Sequence, residues 1–318
     1  MDPITSRPSI TDATGIPAEG IVTKKTEGLF GNRKIAPVAT KYYQARKSYY
    51  RGPLRVVPSS IVGVSSSASH YGAQASRVLS EIIHIITSAT QAKKRDEGVL
   101  ADCYEKTAQI YKEAEKYYRQ ADDASKAKDS QNADYLAQVA QSYENVASGS
   151  IRVTQALARE NKDDITHWSA ITSIYQKAVH SRIKALSAFQ QGKEQVSFFW
   201  TRAAKVCEDF ALNKTIYRVP SIKGDISKEN ELLFNCYQTI VQYLGQAADY
   251  RDKAATVMED GGDKVKADYY TSIAQDYEDA AQLVKQATTV KDDEFQFRAL
   301  LQQAGKSIIK TEVTTNVV

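Results

Sequence analysis

The segment Ala108-Gln-Ile-Tyr111-Lys-Glu-Ala114 belongs to a motif that this chain of 318 residues repeats at a regular interval. Related segments are Ala140-Gln-Ser-Tyr143-Glu-Asn-Val146, Thr172-Ser-Ile-Tyr175-Gln-Lys-Ala178, Ala204-Lys-Val-Cys207-Glu-Asp-Phe210 and, further along, Ala274-Gln-Asp-Tyr277-Glu-Asp-Ala280. Each places a small residue, then Tyr or Cys, then an apolar residue at steps of three, which is the spacing of one helix face. The first four segments are evenly spaced, and a fixed period of about 32 residues predicts a fold built from stacked helical units.

Turn-forming residues recur once in each period. They lie at Arg95-Asp-Glu-Gly98, Lys128-Asp-Ser-Gln-Asn132, Asn161-Lys-Asp-Asp164 and Gln191-Gly-Lys-Glu194. Tetratricopeptide repeats have a similar period but place two short helices in each repeat, so their pattern does not fit this chain. The uninterrupted stretches of about 27 residues correspond to helices about 40 Å long. We therefore predict an all-α fold, an up-and-down antiparallel array of about eight long helices.

Apolar and small residues step by four and three along the predicted helices, which indicates a heptad seam. The second helix presents Leu100, Tyr104, Thr107, Tyr111, Ala114, Tyr118 and Ala121, and the third presents Leu136, Val139, Tyr143, Val146, Ser150, Val153 and Leu157. The tyrosines of the body are therefore predicted to pack in the core and along the seams. The predicted helices span 66–94, 97–127, 133–160, 164–190, 195–213, 228–258, 263–290 and 293–309, with Asp164, Ser227, Asp263 and Asp293 as N-caps.

The prolines divide the chain, because proline is excluded from helix interiors. Six of the seven prolines lie between Pro3 and Pro58, and the seventh is Pro220. This distribution predicts a basic, proline-bearing tail over 1–60, which is disordered or weakly ordered, and a helical bundle over 61–213. An irregular connection over 214–227 then leads to further helices over 228–310 that pack on the same bundle, and the β-prone end 311–318 is expected to fray.

The tail is basic, although the net charge of the whole chain is only +4. Residues 1–60 carry ten Lys or Arg against four acids, and residues 28–80 contain eight cations and no acid. Its most distinctive part is Lys41-Tyr-Tyr-Gln-Ala-Arg-Lys-Ser-Tyr-Tyr-Arg51, in which two tyrosine pairs lie seven residues apart. On a helix this spacing would produce one aromatic and cationic face.

Such a face suits an acidic protein surface, an anionic membrane surface or single-stranded nucleic acid. Docking of the rings on the helical body is an equally weighted alternative. The candidate partner-binding residues are Lys41, Tyr42, Tyr43, Arg46, Lys47, Tyr49, Tyr50, Arg51 and Arg55.

Two pairs of residues have the spacing of metal ligands in four-helix bundles. Glu81 and His84, like Asp164 and His167, place a carboxylate and an imidazole on one helix face. A metal-binding four-helix-type enzyme is therefore one alternative, against which stand the apolar residues around His84 and the expected capping role of Asp164. No phosphate-binding loop, dinucleotide fingerprint or nucleophile motif is present in the sequence. We expect no enzymatic activity, cofactor or metal.

Three cysteines with wide spacing, Cys103, Cys207 and Cys236, indicate reduced thiols in a helical core and a reducing compartment. No apolar run is long enough to cross a bilayer, and residues 1–20 contain no hydrophobic region of a cleaved secretory signal. The chain is expected to be cytoplasmic, or to reach a reducing compartment by a non-classical secretion route.

The first twenty residues begin Met1-Asp-Pro-Ile-Thr-Ser-Arg-Pro-Ser-Ile-Thr-Asp12 and are polar and rich in Ser and Thr. In composition they resemble the uncleaved leaders of substrates of bacterial contact-dependent (type III) secretion, and an ordinary disordered tail has the same composition. Together these features predict a non-enzymatic helical scaffold and interaction protein, with a secreted bacterial effector as one form it could take. Its partner would be a protein with an acidic surface, the alternative is a membrane-surface or nucleic-acid binder through residues 41–55, and self-association through exposed seams is also open.

Overall fold

The computed structural model describes residues 69–216 and 228–315, and all the regular structure in this part of the chain is helical. Eight helices follow one another: α1 (Ser69–Lys94), α2 (Gly98–Lys126), α3 (Ser130–Ala158), α4 (Lys162–Gln190), α5 (Glu194–Ile216), α6 (Lys228–Asp260), α7 (Lys264–Thr289) and α8 (Glu294–Thr315). The prediction of an all-α array of eight long helices is confirmed.

The ends of the helices differ from the predicted ones where no helix-breaking residue lies nearby. Helix α5 continues to Ile216 instead of ending at 213, since the first proline after it is Pro220. Helix α8 continues to Thr315 and so extends into the segment 311–318. The tail 1–60 and residues 217–227 lie outside the described part of the chain.

The turns between helices repeat with the same period as the sequence. Asp96, Lys128, Glu160 and Gly192 have positive φ angles of 60°, 64°, 54° and 71°, and each stands one full period after the last. The N–H of the following residue donates to a carbonyl five residues back, as in Asp129 N to Ala124 O at 3.0 Å and Asn161 N to Ala156 O at 3.0 Å. This is the Schellman arrangement, which satisfies the free carbonyls at a helix end.

Short polar side chains cap the helices that follow these turns. Asp129 accepts from Asn132 N, Asp263 from Lys266 N and Asp293 from Gln296 N, so the last two predicted caps are confirmed. The prediction for Asp164 is wrong, because Asn161 is the N-cap of α4 and accepts from the backbone N–H of Asp164 at 3.1 Å. Asp164 is instead in the first turn of α4, where its negative charge interacts favourably with the positive end of the helix dipole. Ser227 lies outside the described residues.

Extensive packing occurs between helices that are consecutive in sequence, from α1 on α2 through to α7 on α8. All eight belong to one compact unit, Ser65–Val318. A single apolar cluster runs from Val146 of α3 through Ile171 of α4, Ile240 of α6 and Ile273 of α7 to Phe297 of α8. The helices before Pro220 and the helices after it therefore share one hydrophobic core.

Small and aromatic residues alternate at the contacts, as the sequence predicts. Tyr117 of α2 stacks on Tyr143 of α3 at 5.7 Å between ring centres, and Tyr250 of α6 stacks on Tyr277 of α7 at 6.0 Å. Where α3 crosses α4, a Cβ atom added to Gly149 would lie 2.4 Å from Thr172 Oγ1. The Thr172 side chain lies so close to Gly149 that any side chain at position 149 would force it to move.

The predicted seam of α2 is buried from Thr107 to Ala121. In α3 the seam is buried at Leu136, Val139 and Val146, after which the buried positions shift to Thr154 and Ala156. A straight helix has 3.6 residues per turn, so its buried face drifts away from a strict seven-residue pattern.

Candidate functional site

The predicted partner-binding segment lies outside the described part of the chain. This holds for every one of its residues, from Lys41 to Arg55. The functional groups whose positions are known therefore lie on the eight helices.

The two predicted pairs of metal ligands lie apart from other ligands. Glu81 and His84 both lie on the exposed side of α1. His167 is half-buried near the start of α4, and its burial, together with the nearby Lys214, lowers its pKa. Across residues 69–216 and 228–315, no three His, Cys, Asp or Glu side chains come together as a metal site would need.

The three cysteines are free thiols, as predicted from their spacing. Cys207 and Cys236 are buried in the apolar cluster, and burial raises the pKa of Cys207 to about 12 and that of Cys236 to about 11. A thiol with so high a pKa is almost fully protonated at neutral pH and is a poor nucleophile or metal ligand. These two residues act as small apolar core residues.

The most organised polar groups of the body are three carboxylates that pair with arginines of neighbouring helices, of which Glu144 is buried and Glu208 and Glu278 are partly buried. The first is Glu144 of α3, which accepts two hydrogen bonds from Nη2 of Arg77 of α1, at 2.7 and 2.6 Å. Tyr118 of α2 also donates to Glu144. The pKa of Tyr118 is raised above its ordinary value, mainly by burial and then by the negative charge of Glu144. The cluster thus joins three helices.

The second carboxylate is Glu208 of α5. Nη2 of Arg182 of α4 donates to it at 2.9 Å, and Nε of the same guanidinium donates at 3.2 Å. Ser142 of α3 donates to Glu208 at 2.7 Å, and Nη1 of Arg182 donates to Gln138 of α3. This cluster also joins three consecutive helices.

The third carboxylate is Glu278 of α7, which accepts from Nε of Arg251 of α6 at 2.7 Å. Nη2 of Arg251 and Nη2 of Arg202 of α5 both donate to Gln275 Oε1, at 3.0 and 3.2 Å. Burial, and then the neighbouring Arg251, lower the pKa of Arg202. Arg251 is only 2% exposed; its Nε and Nη2 make these contacts, whereas its Nη1 has no hydrogen-bond partner among the described residues.

The three clusters follow a period of two helices. Glu144, Glu208 and Glu278 each come directly after the repeated position Tyr143, Cys207 or Tyr277, and the first two stand two full periods apart. Tyr118 and Arg182, which contact the first two carboxylates, are separated by the same interval. The repeated Tyr-Glu and Cys-Glu pairs mark these clusters in the sequence, although they match no catalytic motif.

Chemically, these clusters fix helix positions. Glu144 and Glu208 each have an arginine and a hydroxyl group in contact, whereas Glu278 accepts from Arg251 alone among the described residues. Pairing with a cation is the condition under which buried charge is tolerated. A shallow open groove between α2, α3 and α4 has Tyr117, Leu136 and Leu186 in its floor and Asn132 and Gln190 at its rim. Its walls bring no convergent set of charged groups together, so it does not define a substrate site.

Neither the protein-family models nor the curated proteins with which the chain was compared contains a significant match to it. None of the described helices combines the length and the apolar character that crossing a bilayer requires.

Proposed function

We propose that this chain is a non-enzymatic helical scaffold that binds a protein partner with an acidic surface. The observation that carries the proposal is the internal pairing of Glu144, Glu208 and Glu278 with arginines across the array. Groups of this kind would be the reactive ones in an enzyme, and here they hold helices together. The rigid body that results suits the presentation of a binding segment.

The binding segment in this proposal is residues 41–55. Its four cations and four tyrosines before Pro53 combine long-range attraction to acidic groups with flat apolar contact area. Arg55 extends the cationic stretch beyond that proline. Arginine and tyrosine are enriched among the residues that dominate protein interfaces, and the mix favours a protein partner.

The test uses the full-length protein in a pull-down read by mass spectrometry. The variant Tyr49→Ala with Arg51→Ala removes one ring and one cation from the segment, and Lys24→Ala with Lys25→Ala is the control that removes two tail cations outside it. We expect the first variant to lose protein partners that the wild type and the control retain. Partners retained by both variants would contradict the role of the segment and would move the search to the helices.

A second candidate function rests on the same composition, since cations beside aromatic rings also bind anionic membranes and single strands. Binding of the full-length protein to phosphatidylserine vesicles or to oligo-dT, weakening steeply as salt is raised from 50 to 200 mM and lost in Tyr49→Ala with Arg51→Ala, would favour it. Absence of binding at 50 mM salt would exclude it.

We also propose that the chain is a secreted bacterial effector, on the basis of the polar, Ser- and Thr-rich residues 1–20. A reporter enzyme fused after residue 20 and expressed in a bacterium with an active contact-dependent secretion system tests this. Export that requires the secretion system supports the proposal, and retention of the fusion in the cell contradicts it.

A further inference from the structure

The first helix presents an apolar stripe that none of the described residues covers. Leu79, Ile83 and Ile86 are 41%, 60% and 43% exposed, and their spacing of four and three residues places them on one face of α1. An adjacent face of the same helix, about 100° around its axis, buries Val78, Ile82 and Ile85 against α2 and α3. The stripe is therefore a second apolar face of a helix that already has one in the core.

The repeat shows what should cover this stripe. Leu79 occupies the position of Tyr111, Tyr143, Tyr175 and Cys207, one full period before the first of them. In inner helices this position contacts the preceding helix, as Tyr143 does with Tyr117 of α2 and Tyr277 with Tyr250 of α6. Leu79 lacks a preceding helix among the described residues, so the stripe is the place of an antiparallel helix at the start of the array.

The two ends of the array differ in this respect. On the outer side of α8, Phe295 and Ile309 are exposed, but they are fourteen residues apart, and Arg298, Gln302 and Gln303 lie exposed between them. A repeat array needs a polar outer face on its terminal units to stay monomeric. Helix α8 has such a face, and the centre of the α1 stripe does not.

The surroundings of the stripe can be buried at low cost. Ser76, Ser80, Thr87 and Thr90 flank it, and each hydroxyl already donates to a carbonyl four residues back, at 2.8 to 3.2 Å. A hydroxyl that keeps its hydrogen bond when water is removed loses little free energy. Small residues beside large ones also allow helices to approach closely, as they do inside the array.

We propose that α1 pairs with α1 of a second copy of this chain, across a two-fold axis near Ile83. A two-fold axis perpendicular to a helix generates an antiparallel neighbour, which is the relation between consecutive helices in an up-and-down array. The second copy then supplies the missing preceding helix, and its α1 is covered in the same way. Leu79 of one chain lies against Ile86 of the other, because both are within four residues of the axis.

Charge complementarity favours this pairing. Gly72 and Lys94 are each eleven residues from Ile83, so the axis brings Lys94 of one copy level with Gly72 of the other. The Asp122 carboxylate lies against Gly72, about where a side chain on that residue would be, with an oxygen 3.4 Å from the ideal Cβ position. Asp122 Oδ2 pairs with Lys126 within α2, whereas Oδ1 is buried and has no hydrogen-bond partner among the described residues. The Asp122 side chain is 13% exposed, and Lys94 of the second copy brings a further cation to this exposed edge.

The expected affinity is modest. A face of this 26-residue helix, about 39 Å long and 10 Å wide, offers about 400 Å² on each chain, which is at the low end for protein interfaces. We therefore expect association in the micromolar range. The inference does not rest on residues 41–55, so sedimentation and pull-down can fail independently of each other.

The first test is sedimentation equilibrium of the full-length protein between about 1 and 100 μM. The wild type should approach twice the chain mass of 35.3 kDa at the upper end. Ile83→Glu should remain monomeric throughout, while Val265→Glu, at an exposed valine of α7, should behave as the wild type. Lys94→Glu removes both symmetry-related ion pairs of the dimer and should raise the dissociation constant by up to about thirtyfold, the effect of two exposed ion pairs. A monomeric wild type, or an Ile83→Glu variant that still dimerises, would overturn the proposal and leave the stripe to another occupant.

The second test fixes the geometry. Ile83→Cys places two thiols beside the two-fold axis, and a short bismaleimide should join the two chains, whereas Val265→Cys and the wild type should give little product. A dimer that forms but does not cross-link at position 83 would show that a different face pairs, which also overturns the proposal.

Discussion

Two carboxylate–arginine clusters in the same array differ in how far water reaches the cation. Near the first helix, the Arg77 side chain that pairs with Glu144 is 49% exposed. In the second half of the array, the Arg251 side chain that pairs with Glu278 is 2% exposed. The acids occupy the same place in the repeat, but α1 is at an edge of the described helices while α6 has a neighbour on each side. Both pairs join an arginine to a glutamate, so a difference in their contributions to stability should come from their positions in the array.

The largest effect is expected at the inner cluster. Arg251→Ala leaves Glu278 and Gln275 without their buried cation, and removal of one partner of a buried pair costs about 3–5 kcal/mol in the free energy of unfolding. Chemical denaturation of the full-length protein, followed by circular dichroism, measures it. Arg298→Ala is the matched control, because that arginine is half-exposed and pairs within α8. A loss for Arg251→Ala no larger than that of the control would contradict the prediction.

A second comparison between the interior and an end of the array uses two glycines, Gly149 where α3 and α4 cross and Gly305 in the last helix. Gly149→Ala drives a methyl group into Thr172 where α3 and α4 cross, and overpacking of this kind costs about 1–3 kcal/mol. At Gly305 of α8 an added Cβ meets nothing within 4 Å, so the same substitution should stabilise by up to about 1 kcal/mol through helix propensity. The two melting temperatures should move in opposite directions, and a shift in the same direction would count against the close approach.

A smaller effect is expected at the outer cluster. Arg77→Ala should cost about 1–2 kcal/mol: the Glu144 side chain that remains is only 9% exposed, but Tyr118 still donates to it and water can take the place of the half-exposed guanidinium. Denaturation in low and high salt separates the two clusters further, since salt screens the exposed pair more than the buried one. A loss as large as that of Arg251→Ala would remove the distinction between edge and interior.

The smallest effect concerns the pH dependence of stability. The pKa of His167 is lowered in the folded state by burial and then by Lys214, so the unfolded chain takes up the proton more readily. The stability that this neutral imidazole contributes is present above its ordinary pKa of about 6.5 and is lost as the pH falls through and below that value. The difference in unfolding free energy between pH 7.5 and 5.5 should be smaller in His167→Gln than in the wild type, and an equal difference would contradict it.

The sequence is sufficient to predict the helices because period, turn residues and caps all act locally. Asp263 and Asp293 cap their helices as predicted, whereas Asn161 takes the place expected for Asp164 because several polar residues near that turn can serve as a cap. The choice between neighbouring caps depends on where the preceding helix ends, which a pattern of apolar residues locates only to within a few positions.

The charged clusters are only half predictable. The acids follow the repeat, but their cations do not, since Arg77 comes from two helices before its acid and Arg251 from the helix directly before. Which arginine reaches which acid depends on the depth and rotation of each helix, and these are set by packing. The basic segment 41–55 stays a prediction, because it lies outside the described residues.

The confinement of extensive contacts to consecutive helices has a consequence for the response of the chain to force. Contacts that are local in sequence favour rapid folding and allow an array to lose its units one at a time. A single molecule pulled from both ends should therefore lengthen in a series of steps instead of one rupture. A helix of 29 residues, such as α2, α3 or α4, releases about 100 Å of extended chain in each step. The protein would behave as a stepwise extensible spacer.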